Sequence, residues 1–227
     1  MKLSVIIPAY NEENTIAEII KRVAATGLAE EIVVVNDGST DKTSVVLAGI
    51  EQYPNLRILD HAQNAGKGAA VISGLKAARG DVFIIQDADL EYDPRDYANL
   101  LAPVENGEAD VVFGSRFTGM KHEGMLILSA LANRFITVFA NFLFGSRLTD
   151  VETCYKLFTR PVAERLDLRS RGFELEPEFT AKVLKMKVRI REVPISYNPR
   201  GYGEGKKIQW TDGVKTLWTL LKYRFSS

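Results

Sequence analysis

Five short apolar runs, each ending in polar residues and each separated from the next by a helix's length of chain, constrain this sequence more than any other feature. They are Leu3 to Ile7, Glu31 to Val35, Leu56 to Leu59, Val82 to Ile85 and Asp110 to Phe113, with helical patterns near 12–25, 41–52, 66–79 and 94–105. Strands that are apolar nearly throughout bury both faces most simply in a parallel sheet covered by helices on either side. Ligands of such sheets bind outside the carboxyl ends of the strands. The spacing leaves the strand order open. At 227 residues and 46% hydrophobic, the chain has ample core for one domain. Its 29 basic and 29 acidic residues cancel, so nothing global attracts nucleic acid. Cys154 is the only cysteine, which excludes an internal disulfide and reads as a small buried side chain. The first residues, Met1 to Pro8, are too short an apolar run for a signal peptide, so a cytoplasmic protein is expected.

The strand ends carry polar chemistry. They read Pro8-Ala9-Tyr10-Asn11-Glu12-Glu13, Asn36-Asp37-Gly38-Ser39-Thr40-Asp41, Asn64-Ala65-Gly66-Lys67-Gly68, Gln86-Asp87-Ala88-Asp89-Leu90-Glu91 and Gly114-Ser115-Arg116. Each also has a local explanation: Asn11 and Asp41 as helix N-caps, Asp37-Gly38 as a turn, Gly66 as a permissive hinge. Their recurrence at five consecutive strand ends favours a shared site. In the fourth, Asp87 and Asp89 are two apart at a strand end, a spacing at which both can point the same way. Paired hard oxygen ligands suit Mg²⁺ or Mn²⁺ with a substrate diphosphate completing the shell; turn aspartates bonding local backbone are the alternative. Lys67 invites comparison with a phosphate-binding loop, but His61 stands where the first glycine of that motif belongs and Gly68 where Ser or Thr follows the lysine. Pro8-Ala9-Tyr10 likewise replaces a dinucleotide fingerprint after the first strand.

The ordered set SVIIPAYNEE, VVVNDGSTDKT, NAGKGAA, DADLE and GSR resembles glycosyltransferase family 2, inverting enzymes of the GT-A fold. The later segments LTDVETCYKLFTR, GFELEPEF and EVPISYNPRGYGEGKKI are similar to its branch of dolichyl-phosphate mannose synthases and polyprenyl-phosphate glucosyltransferases. The resemblance implies a Rossmann-like, mostly parallel sheet flanked by helices in a single domain, with a nucleotide-sugar half over 1–116 and an acceptor half over 117–227. It implies nucleotide binding by Pro8, Ala9, Tyr10, Glu12, Asp37, Lys67, Asp87 and Ala88. Asp87, Asp89 and Glu91 would hold a divalent metal, Mg²⁺ or Mn²⁺, and Arg116, Arg200 and Lys206 would engage the diphosphate or the acceptor phosphate. Asp89, Arg116 and Asp150 are the expected catalytic residues.

The reaction so implied moves a hexose from GDP-mannose or a UDP-sugar to a polyprenyl or dolichyl phosphate. A lipid phosphate is already anionic and needs no strong base, whereas a glycan or lipid hydroxyl does. Asp150 and Glu152 lie where hydroxyl-directed relatives carry that base, so both acceptors stay open, as does the reading of these two acids as a helix cap and its first-turn carboxylate. A non-catalytic nucleotide-sugar-binding protein is the alternative of another class.

The acceptor side turns on Met125 to Phe144, apolar except for Ser129, Asn133, Thr137 and Asn141, which form one stripe, and the adjoining Arg134. A core helix, a spanning helix and a helix lying in the membrane interface all fit its length. The interfacial placement spares Arg134 the bilayer centre and lets it meet a lipid phosphate. Around 210–225, Trp210, Trp218, Tyr223 and Phe225 stand among Lys215, Lys222 and Arg224, as at a membrane boundary or on an ordinary docked helix. A peripheral membrane enzyme, or one relying on a separate membrane-anchor protein, is expected. Glu174, Glu176 and Glu178 open a helix at its positive end, with Glu174 or Glu176 alternatively meeting the sugar hydroxyls or the site's basic residues, and 199–207 is expected to be a phosphate-gripping lid rather than a flexible solvated connector.

Overall fold

The computed structural model describes residues 1–50, 53–118, 127–199 and 210–226. The five expected strands form as β1 (Leu3–Ala9), β2 (Ala29–Asn36), β3 (Leu56–Asp60), β4 (Val82–Ile85) and β5 (Val111–Ser115). The helices between them are α1 (Ile16–Ala25), α2 (Thr43–Ala48), α3 (Lys67–Ala77) and α4 (Tyr97–Glu105), the last entered through a 3₁₀ turn at Pro94–Asp96. The second half supplies α5 (Ile127–Phe144), β6 (Lys156–Thr159), α6 (Arg160–Arg165), α7 (Leu175–Met186), β7 (Ile190–Pro194) and α8 (Trp210–Phe225).

One sheet joins both halves in the order β3-β2-β1-β4-β6-β5-β7. Its β-branched strands are covered on both faces, and Val5, Ile6, Ile7, Val33, Val34 and Ile84 are fully buried. The chain proceeds from β1 to β2 and β3 on one side, then returns to place β4 on the other, so the carboxyl end of β1 is the switch point where a crevice opens.

The sheet departs from an all-parallel one at β6, which runs antiparallel to both β4 and β5. Reversal brings the amino end of β6 to the rim where β4 and β5 have their carboxyl ends. Residues 150–155 thereby sit beside 86–91 and 115–116. Beyond β5, β7 is parallel again and delivers its own carboxyl end to the same rim.

Helix α8 packs against α7 and α5. The polar stripe of α5 turns inward, contrary to a polar outer face: Val151 N–H donates to Thr137 Oγ1 at 3.3 Å, and Asn141 bonds both N–H and C=O of Leu148. What faces out is Leu128, Leu131, Phe135, Val138 and Phe142, each more than half exposed. Their spacing of three and four residues makes one continuous apolar stripe. Among the described residues no helix is long and apolar enough to cross a membrane, which removes the spanning placement for α5.

Candidate active site

At the switch point the loops after β1 and β2 are laced together. Thr40 N–H donates to Asn11 Oδ1 at 2.8 Å, Asn11 N–H to Ser39 Oγ at 3.1 Å and Glu12 N–H to Thr43 Oγ1 at 2.9 Å. Asn11 adopts φ 54°, which an Asn tolerates better than most residues, and it ties two strand ends rather than capping α1, whose N-cap is Thr15. Asp41 does receive Thr43 N–H at the start of α2. Pro8, Tyr10 and Glu12 are half-buried along this seam, and Ala9 is buried at the end of β1.

Asp37 is almost wholly enclosed. Its carboxylate accepts Ala65 N–H at 3.0 Å and Gly66 N–H at 2.8 Å and meets His61 Nδ1 at 2.6 Å, while His61 Nε2 meets Ser73 Oγ at 2.9 Å. Asp37 therefore holds the loop that launches Lys67 into the site. The close approach needs glycine: a Cβ on Gly66 would lie 2.3 Å from Arg171 O, and one on Gly68 2.1 Å from Ser170 O.

Lys67 Nζ sits 2.7 Å from Asp87 Oδ1 and 3.3 Å from Glu176 Oε1. Burial works against its charge, but the Asp87 carboxylate beside it outweighs that and holds the ammonium well above its ordinary range. Burial likewise opposes ionisation of Asp87, and Lys67 reverses it, leaving that carboxyl below its ordinary value. Asp87 thus faces a cation the chain itself supplies. Ala88 is buried next to it. Asp89 Oδ1 accepts Glu91 N–H at 3.1 Å, a turn made possible by Leu90 at φ 64°. A leucine in that region costs roughly 1 kcal/mol or more, strain of the sort that collects at functional loops. Beneath the loop, Gln86 Oε1 accepts both Tyr97 OH at 2.6 Å and Tyr155 OH at 2.7 Å.

Across the crevice, Arg116 and Asp150 form a buried bidentate pair, Nε to Oδ2 at 2.7 Å and Nη2 to Oδ1 at 2.9 Å, with Arg116 N–H also on Oδ2. The Arg116 guanidinium lies over the Tyr197 ring at 5.2 Å. No helix starts at Asp150, which removes the capping reading of Asp150 and Glu152. Lys156, fully buried, bonds the Thr153 carbonyl and Glu176, so Glu176 serves the site's bases in addition to lying at a helix start. Glu178 instead receives Arg169 and Ser170 N–H. Burial, reinforced by Glu176 and Asp150 and opposed by Lys156 and Arg116, raises the Glu152 carboxyl to about 7, and its Oε1 is enclosed without a hydrogen-bond partner. With Glu152 protonated, the cations Lys67, Lys156 and Arg116 face the anions Asp87, Glu176 and Asp150 one for one.

The rim therefore gathers Asp37, Lys67, Asp87, Ala88, Asp89, Glu91, Arg116 and Asp150. Arg134 is exposed on α5 beside Phe135, and Arg200 and Lys206 lie outside the described residues. His61, Gln86, Lys156 and Tyr197 escaped the sequence reading. Lys156 had one available signal, a lysine inside an apolar strand. Buried cysteine Cys154, 3.9 Å from Lys67 Nζ, matches its expectation as a packed side chain.

Residues 4–167 match the model of glycosyl transferase family 2. The chain is 33% identical over 224 residues to a low-salt glycan biosynthesis hexosyltransferase, Agl6, of Haloferax volcanii, covering 96% of this chain and 53% of the relative. It is 32% identical over 211 residues to a dolichol-phosphate mannosyltransferase of Pyrococcus furiosus, covering 91% and 59%. A dodecaprenyl-phosphate galacturonate synthase of Rhizobium johnstonii is 27% identical, covering 91% and 62%. The chain thus spans between half and two thirds of the length of these relatives. Glucosyl-3-phosphoglycerate synthase of Mycobacterium tuberculosis, solved with Mn²⁺, UDP and phosphoglyceric acid, shares the fold at a TM-score of 0.74 and 20% identity, covering 100% of this chain and 79% of that one. Matched over most of its length by the family model, the chain belongs to glycosyl transferase family 2.

Proposed function

We propose that this protein transfers a hexose from a nucleotide-diphosphate sugar, GDP-mannose or a UDP-sugar, to a polyprenyl phosphate, with inversion and with help from a divalent cation. The observation that carries the choice of acceptor is Asp150. Placed where a hydroxyl-directed enzyme would keep its base, it is fully buried with both oxygens held by Arg116. A phosphate acceptor, already anionic, needs no such base. Two of the relatives above carry a lipid phosphate in their names, which supports the same reading.

The donor set fits a hard divalent cation. Asp89 and Glu91 offer carboxylate oxygens at the strand end, while Asp87 is engaged by Lys67. Among the described residues no group of three or more acidic, His or Cys side chains forms a cage by itself, and Mg²⁺ and Mn²⁺ accept one or two carboxylates with the rest of the shell from a diphosphate. When bound, such a cation neutralises charge developing on the leaving diphosphate. The chain's own residues do the remainder. Lys67, preorganised by the Asp37 loop, is a point charge within reach of the same region, and Arg116 presents a planar guanidinium fixed by Asp150. Tyr10 and Pro8 border the crevice where a nucleobase would stack, with Glu12 as an acceptor for base or ribose and Asp37 holding the loop beside it.

The outward apolar stripe of α5, and Val214, Trp218 and Phe225 exposed on α8 among Lys215, Lys222 and Arg224, support a protein that lies on a membrane surface where its acceptor resides. A second reading, transfer to a hydroxyl, is favoured by one observation: Glu152, raised to about 7 with an enclosed unpartnered oxygen, has the properties of a general base. Assaying Glu152→Gln separates the two. Transfer to lipid phosphate within a few-fold of the parent supports the first, and loss of transfer to a hydroxyl acceptor supports the second.

A further inference from the structure

Tyr197 touches both Glu91, a candidate cation ligand, and Arg116. It follows β7, whose carboxyl end is secured by Ile195 N–H on Ser115 O at 3.2 Å. From there the chain is fastened along the loop after β4. Ser196 N–H donates to Asp96 Oδ2 at 2.6 Å, Asn198 N–H donates to Glu91 O at 2.8 Å, and Tyr197 forms an isolated antiparallel bridge with Tyr92. With its backbone pinned on either side, the Tyr197 side chain has a defined direction. Its OH donates to Glu91 Oε2 at 2.9 Å, its ring packs 5.3 Å from that of Tyr92, and the Arg116 guanidinium lies over the ring at 5.2 Å.

A phenylalanine would keep the ring beside Tyr92 and Arg116 and lose the hydroxyl that meets Glu91 and Arg116. A carboxylate with one oxygen fixed by a donor that is itself held in place presents its other oxygen in a set direction, as groups behind metal ligands do.

We propose that Tyr197 is a positioning residue that aims Glu91 at the divalent cation through its hydroxyl and seats Arg116 through its ring. One side chain then sets the spacing between the cation and the guanidinium that flank the same diphosphate. This inference rests on the cation-dependent donor site proposed above, and the two fail differently.

The test compares wild type, Tyr197→Phe and Tyr197→Leu by titrating Mn²⁺ in the presence of UDP and, separately, GDP, reading bound Mn²⁺ by electron paramagnetic resonance. Thermal unfolding without metal is recorded in parallel. Loss of a partner behind a metal ligand typically weakens metal affinity by about 10- to 100-fold. Tyr197→Phe is expected to show that loss while unfolding within a few degrees of wild type and keeping its metal-free nucleotide affinity. Tyr197→Leu, which also unseats Arg116, is expected to lose metal-free nucleotide affinity as well. Wild-type Mn²⁺ affinity in Tyr197→Phe overturns the role of Tyr197 alone. Failure of wild type to bind Mn²⁺ with either nucleotide overturns both the cation site and the inference built on it.

Discussion

At the scale of single residues the account makes its sharpest commitments about charge. Replacing Asp150 with Ala leaves the Arg116 guanidinium buried and unpaired, and breaking a buried pair this way costs about 3 to 5 kcal/mol. Chemical denaturation of Asp150→Ala should show that loss, with a smaller one for Asp150→Asn, which keeps an acceptor. Glu152 gives a pH signature. Its carboxyl titrates at about 7 in the fold against 4.5 in an unfolded chain, so between those values the folded state holds a proton the unfolded state has lost. Stability contributed by the protonated group is complete below about pH 4.5 and falls as pH rises toward 7. Glu152→Gln should flatten the melting-temperature profile across that window and melt above wild type at pH 8; parallel profiles would contradict the assignment. Asp89→Ala should lower turnover by on the order of 10³-fold with melting little changed, since it removes a carboxylate that would hold the cation neutralising the leaving diphosphate. Near-normal turnover would refute its placement. The residues that sequence alone singled out for the candidate site were those with a spacing signature: the Asp-x-Asp pair, the Gly-Lys-Gly loop and Gly-Ser-Arg. Lys156 and Tyr197 carry no such local pattern, because their partners Glu176, Glu91 and Arg116 lie 20 to 106 residues away.

At the scale of elements, the first four helices and five strands were legible because apolar runs and helix-length spacers alternate without interruption. What was not legible was β6, a four-residue strand with a buried lysine at its start and a proline-led helix directly after it. Its antiparallel insertion, which brings Asp150 to Arg116, depends on long-range pairing with β4 and β5. The orientation of α5 could not be read from the sequence for a related reason. The periodicity of Thr137 and Asn141 identifies a stripe but not which side meets protein, and partners at Val151 and Leu148 decide it. Gly68, in the loop that Asp37 holds, contrasts with Gly107, which follows α4. Gly107, at φ 70° with nothing within 4 Å of an added Cβ, should cost about 1 kcal/mol on substitution by Ala through backbone strain alone. Gly68→Ala must push the Ser170 carbonyl aside and should cost roughly 3 kcal/mol, the upper end for overpacking. It should also raise the donor KM by displacing Lys67. Equal losses for the two glycines, measured by denaturation, would show that the loop does not depend on that close approach.

For the whole molecule, the neutral overall charge hides an uneven surface in which exposed apolar side chains concentrate on α5 and α8. Flotation with vesicles containing anionic lipid should carry the protein upward, and the double variant Leu131→Ser, Phe135→Ser should remain at the bottom of the gradient. Such surface changes alter stability by about 0.5 kcal/mol or less, so melting serves as the control. Wild type that ignores the vesicles would remove the membrane from the account. The central claim concerns what the buried pair and the acidic loop do together. Purified protein should be incubated with Mn²⁺ and radiolabelled GDP-mannose or UDP-hexose, with and without polyprenyl phosphate, and the label followed into the organic phase. The account predicts lipid-linked label only when polyprenyl phosphate is present, released by mild acid as free sugar and lost in Asp89→Ala. Label that appears on a hydroxyl acceptor instead, or no transfer from any of these donors, would contradict it.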